Sequence, residues 1–95
     1  MLNFDDYKEF KNDKEICDII YYHNEIERLL NINDIDNLNR KMQEISSKYL
    51  IESMMYNTVN AIPPQNIYQN AENCIRFLRT LLSEKIINKT GKTSL

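Results

Sequence analysis

Apolar residues recur along this chain at the three- and four-residue steps of a helix, with no sustained two-residue alternation of the kind a strand shows. Asn3 precedes FDDYKEFK, where Phe4, Tyr7 and Phe10 return at intervals of three, and Asp5 and Asp6 suit the positive end of a helix dipole. This predicts a short helical arm capped by Asn3. Asp13 then caps a stronger segment with Ile16, Ile19, His23, Ile26 and Leu30 on one stripe, widened by Ile20 and Leu29. Asn31 and Asn33 end it, because asparagine tolerates the left-handed backbone better than most residues.

From Asp34 a third segment places Ile35, Leu38, Met42, Ile45 and Tyr49 on one face. The stripe broadens after Ser46 and Ser47: Leu50, Ile51, Met54, Met55, Tyr56, Val59 and Ile62 cover much of the circumference. The expectation is a helix to about Asn60, with a bend at the serines as the alternative. Pro63 pushes Ile62 out of the helical region, and Pro64 fits the first turn of a last helix. Ile67, Ala71, Cys74, Ile75, Leu78, Leu81 and Leu82 form its stripe, and Gly91 is its expected stop before a tail.

Only one Gly and two Pro occur in 95 residues. Small all-β and α/β folds draw on both for their many turns, so few breakers argue for few, long elements. The fold expected is therefore all-α: one domain, a small antiparallel bundle of three main helices (13–31, 34–61 and 64–89). A helical arm (1–12) precedes it and a flexible tail (90–95) follows. No run reaches the ~20 apolar residues of a membrane span. The acidic start, MLNFDDYKEFKNDKE, lacks the apolar core of a secretory signal. Cys17 and Cys74 are too few for a disulfide scaffold or metal knuckle. They are expected to be reduced, buried thiols of a cytoplasmic protein, the alternative being one bridge from first helix to last.

Net charge is only −2, but it is unevenly spread. Residues 1–47 carry eleven acids against six bases, and residues 48–95 carry three acids against six. Part of that imbalance is expected to close internally, with the acidic half beside a basic last helix. The remainder makes a dipolar surface able to steer a charged partner.

His23 is the single histidine, and its register sets it among aliphatics. The expectation is an interface histidine satisfied by a tyrosine hydroxyl or a carboxylate. Glu27 lies one turn on, yet two ligands do not make a catalytic metal site, and position 20 is Ile where a di-iron motif needs Glu. Phosphotransfer is disfavoured by the NEIE that follows, whose carboxylates repel a phosphate. Cys17 is nearly two turns from His23, and Cys74 sits in a core-like stripe. No Gly-rich loop is present to cradle a phosphate. Metal, cofactor and enzyme activity are therefore not expected.

Two surfaces remain. Asp5, Asp6, Glu9, Asp13 and Asp18, with Tyr21 and Tyr22 as aromatic anchors, could face a basic partner protein. This favours a non-enzymatic inhibitor, immunity- or antitoxin-like, that neutralises a toxin or nuclease. Alternatively, Arg76, Arg79, Lys85 and Lys89, near Tyr68 and Phe77, could contact a nucleic-acid backbone, although the pI of 5.3 opposes it. A third possibility is a helical subunit of a larger assembly. Met54 and Met55 would then offer an adaptable face, a homodimer face included.

Overall fold

The structure, a computed structural model, describes residues 1–49 and 67–91. Helix accounts for 86% of them and no strand occurs among them, which fixes the all-α class. A 3-10 arm at Phe4–Phe10 precedes three α-helices, α1 (Lys14–Asn31), α2 (Ile35–Tyr49) and α3 (Ile67–Thr90). The remainder of the expected second helix (50–61), the methionine face, the Pro63–Pro64 boundary, the start of the last helix at 64–66 and the tail after Gly91 lie outside the described residues.

Each boundary has a local cause. The Asn3 side chain accepts the Asp5 N–H at 3.0 Å and so caps the arm. Tyr7 departs from helical dihedrals (φ −121°, ψ 20°), which kinks the arm at its middle. The Asp13 carboxylate accepts the Ile16 N–H at 3.2 Å and starts α1. Asn33 takes φ 57°, and there the N–H of Asp34 reaches Leu29 O while that of Asn33 reaches Leu30 O. These paired bonds satisfy carbonyls that a helix end otherwise leaves open. Asp34 then caps α2 through the Asn37 N–H, so the chain turns within three residues. α2 runs unbroken through Ser46 and Ser47 to Tyr49. Gly91, at φ 67°, ends α3 with its N–H on Ile87 O.

The core is the one the periodicity marks. Ile16, Ile19, Ile20, Ile26 and Leu29 of α1 meet Leu38, Met42 and Ile45 of α2 and Ile67, Ala71, Cys74, Leu78 and Leu82 of α3. Each buried Ile or Leu contributes about 1.5–3 kcal/mol relative to exposure. Leu30, Ile35, Tyr49, Ile75 and Leu81, also expected on the stripes, are only partly buried at the edge of this core. α1 packs against the arm, α2 and α3, so it is the hub. An aromatic seam joins the helices: Tyr21–Tyr22, Tyr22–Tyr49 and Tyr49–Phe77 lie 5.3, 6.3 and 6.2 Å apart at their ring centres.

Both cysteines are free, so no bridge joins α1 to α3. Cys74 is buried, and burial pushes its thiol up to about 12, which leaves it unreactive near neutrality. Cys17 is a correction: it is half-exposed, and its thiol donates to Phe10 O at 3.4 Å, tying the arm's end to α1.

Candidate functional site

His23 is fully buried, as its register predicted. A carboxylate, that of Glu27, lies beside it as expected, but the direct hydrogen bonds are to Arg79 and Asn24, which were not expected. Among the described residues no tyrosine hydroxyl reaches it. Arg79 of α3 donates through Nε to His23 Nε2 at 2.9 Å. A guanidinium has donors only, so Nε2 must accept and the ring proton sits on Nδ1. Nδ1 in turn lies 3.1 Å from the Asn24 carboxamide oxygen, and donates to it. Both nitrogens are thus occupied by a neutral imidazole. Burial is the main force holding its pKa below 6.5; Asn24 and Glu27 pull the other way, and Arg79 and the Met1 amino group add to the lowering.

Glu27, one turn on, completes the cluster. One carboxylate oxygen lies 3.4 Å from His23 Nε2 and accepts from Arg79 Nη2 at 3.2 Å; the other lies 3.1 Å from the Met1 amino group. Burial raises the Glu27 carboxyl, and the adjoining positive groups more than reverse it, for a net lowering. Chemically the cluster binds and orients. The Nε2 lone pair that a general base would use is filled by Arg79, and neither nitrogen is left for the Cys74 thiol. Among the described residues no three His, Cys, Asp or Glu side chains converge as a metal site.

The acidic set divides. Asp5, Asp6 and Glu9 are exposed on the arm and form no ion pair among the described residues, and Phe4 beside them is 50% exposed. Lys8 and Lys11 are interspersed, so the arm's excess is one negative charge against its own lysines. Asp13 and Asp18 are instead engaged. Lys89 lies 2.8 Å from Asp13, and this contact, with the Ile16 N–H, holds the Asp13 carboxyl below its ordinary range. Asp18 pairs with Lys14 at 3.0 Å and Lys48 at 3.5 Å and is lowered chiefly by Lys14. Glu15 pairs with Lys85. Tyr21 is 46% exposed, with the Lys41 ammonium 5.4 Å from its ring centre, while Tyr22 is half-buried in the aromatic seam.

The basic set is largely consumed by the same pairings. Lys85 and Lys89 serve Glu15 and Asp13, and Arg79 serves His23 and Glu27. Arg76 alone of the four is exposed without an ion pair among the described residues. The sequence's uneven charge thus closes partly between α1 and α3, as expected.

Comparison with family models, curated proteins and solved structures returned no match. The site's meaning therefore rests on its own geometry. Sequence reasoning missed Asn24 and the joining of Glu27 to Arg79. A faint signal existed: Asn24 is a poor helix former in mid-helix, beside a histidine on the apolar stripe. Nothing in the spacing shows that the first two residues fold back onto it.

Proposed function

We propose that this protein is a non-enzymatic, immunity- or antitoxin-like inhibitor that binds and neutralises a partner protein with a basic surface, such as a toxin or nuclease. Half-exposed Phe4, beside the carboxylates of Asp5, Asp6 and Glu9 that form no ion pair among the described residues, is the observation that carries this reading. An apolar anchor inside a charged rim is the arrangement that supplies both holding energy and electrostatic steering. Tyr21 is a secondary anchor on α1. Asp13 and Asp18 serve the fold first, and contribute less to a partner's approach because lysines already neutralise them.

The scaffold behind the arm is read as an antiparallel bundle. In support, α1 and α3 pair in opposite sequence order: Asp13 with Lys89, Glu15 with Lys85, His23 with Arg79, and Asn33 with the Tyr68 hydroxyl. Among the described residues no helix is long and apolar enough to cross a membrane. A cytoplasmic site of action accords with the two free thiols.

Capture from the native host with the tagged chain, followed by association kinetics, tests the proposal. Reversal of Asp5, Asp6 and Glu9 to Lys is expected to cut the on-rate at low salt by about tenfold or more. An unchanged on-rate overturns the acidic docking surface. Among the described residues, the competing nucleic-acid reading has only Arg76 of its four bases without an ion pair. Salt-sensitive binding to random DNA or RNA at low ionic strength would revive it.

A further inference from the structure

His23 is the only imidazole in the chain, and its two nitrogens differ in what an added proton does to them. Nδ1 already carries a hydrogen and donates it to the Asn24 carboxamide oxygen at 3.1 Å. The orientation of that carboxamide is fixed from its far side. Its amide donates to Leu2 C=O at 2.9 Å, and its oxygen also accepts the Leu2 N–H. A flip of Asn24 would set like groups against one another at each contact. A second ring proton therefore enters at Nε2, and Nε2 is the seat of Arg79 Nε, 2.9 Å away.

The charges around the ring turn this conflict into an exchange. On α1, one Glu27 oxygen lies 3.4 Å from Nε2 and accepts from Arg79 Nη2 at 3.2 Å. On α3 stands Arg79 itself. From the arm, the Met1 amino group lies 3.1 Å from the other Glu27 oxygen. The charges that act on the ring come from these three groups, with none from α2 among the described residues. Once Nε2 carries hydrogen it opposes Arg79 twice, as donor against donor and as cation against cation. The same hydrogen gives Glu27 a charge-assisted bond to the ring. Arg79 has somewhere to go, because its side chain is already 57% exposed.

We propose that His23, Arg79 and Glu27 form a proton-operated latch between α1 and α3. The neutral ring holds the Arg79 guanidinium against α1; protonation at Nε2 passes the ring to Glu27 and releases the guanidinium outward. Burial lowers the ring's pKa from 6.5, so the latch is closed at neutrality. What it sets is the charge that α3 presents. Arg76 is exposed one turn before Arg79 and has no ion pair among the described residues. Mild acid thus turns one free guanidinium on that helix into two neighbours. The latch asks nothing of the Met1 amino group or of the arm's carboxylates, and it stands or falls apart from the inhibitor reading.

The single imidazole makes the test direct. Its ring nitrogens are followed by NMR in the 95-residue chain from about pH 7.5 to 4.5, the range in which histidine titrates. Exchange of the Arg79 Nε–H is read beside that of Arg76 at every pH. At neutrality the ring proton should sit on Nδ1, and Arg79 should exchange about tenfold or more slowly than Arg76. That ratio should fall toward one with the midpoint of the ring's titration, while the Ile20 and Leu78 amides keep their protection. Two substitutions should move the midpoint in opposite directions, Arg79→Met upward and Glu27→Gln downward, each by about half a pH unit or more. A ring proton on Nε2 at neutrality overturns the proposal, as does an Arg79 ratio that survives ring protonation. Loss of Ile20 and Leu78 protection at the same midpoint overturns it too, since unfolding then frees the guanidinium. So do midpoints that stay fixed, or shift the same way, in the two variants.

Discussion

Two groups of carboxylates lie within eighteen residues of each other and meet opposite fates. Asp5, Asp6 and Glu9 on the arm stay exposed and unpaired among the described residues, whereas Asp13, Glu15 and Asp18 on α1 each meet a lysine. Composition does not separate them. The difference is what passes alongside: α1 lies against α3, whose Lys85 and Lys89 face it, and near Lys48 of α2. An ion pair largely cancels the field a distant partner would sense, so of these two groups the arm acids keep the greater steering value. An acidic half of a sequence is therefore not an acidic surface until the fold has drawn on it.

The comparison presumes that apolar packing, not the lysine–carboxylate pairs, holds α1 in place. Its most damaging test is also the largest expected effect. Ile19→Ala empties a fully buried position between the helices and should cost about 2–5 kcal/mol in urea unfolding. A loss below about 1 kcal/mol would mean that the charged rim, not the apolar core, carries the interface.

A second effect comes from His23. Its folded pKa is lowered, so the unfolded chain takes up a proton first as pH falls below about 6.5. The neutral imidazole contributes its full stability above that value, and the contribution is lost as pH falls through the folded pKa. The paired carboxylates contribute mainly at lower pH, since the ordinary value of Glu15 and Glu27 is 4.5 and their folded values lie below it. The urea midpoint of the native chain should therefore decline between about pH 6.5 and 5, and that slope should vanish in His23→Gln. A flat profile over that range would show that the buried ring accepts a proton without cost.

Much of this was legible in the sequence, for identifiable reasons. Caps act locally, so Asn3, Asp13 and Asp34 marked three starts, and Asn33 and Gly91 two ends, from side-chain chemistry alone. The core followed from spacing, because Ile16, Ile19 and Ile26 can share one face only in a helix. The burial of His23 was legible for the same reason, but its hydrogen-bonding partners were not. Arg79 is 56 residues away and reaches His23 through the packing of α1 on α3, and the Met1 amino group reaches Glu27 only because the arm turns back. Such contacts have no period to betray them. The fate of each acid was hidden likewise, since periodicity places a residue on a face without saying which residue of another helix lies opposite.

The third test measures the arm acids. Lysine at positions 5, 6 and 9 should leave unfolding stability within about 0.5 kcal/mol of the native chain, since no ion pair forms with those carboxylates among the described residues. A larger loss would place them among the structural acids and remove the contrast.

The smallest effect draws the line most finely. Asp18→Asn removes a carboxylate shared by Lys14 and Lys48 at a quarter-exposed site, where two solvated lysines weaken one another's claim. It should cost no more than about 1 kcal/mol at low salt, and less as added salt screens the pair. The pH dependence has a fixed sign. Because Lys14 foremost holds the folded Asp18 pKa below 3.8, its contribution is present above that value and is lost as pH falls through the folded one. The native chain and Asp18→Asn should therefore converge in stability in strong acid, while Asp6→Asn, which breaks no ion pair among the described residues, should stay within about 0.5 kcal/mol of the native chain near neutral pH. If Asp6→Asn instead showed the larger loss near neutral pH, the arm would hold the structural acid and α1 the free one, and the docking surface would have to move to α1.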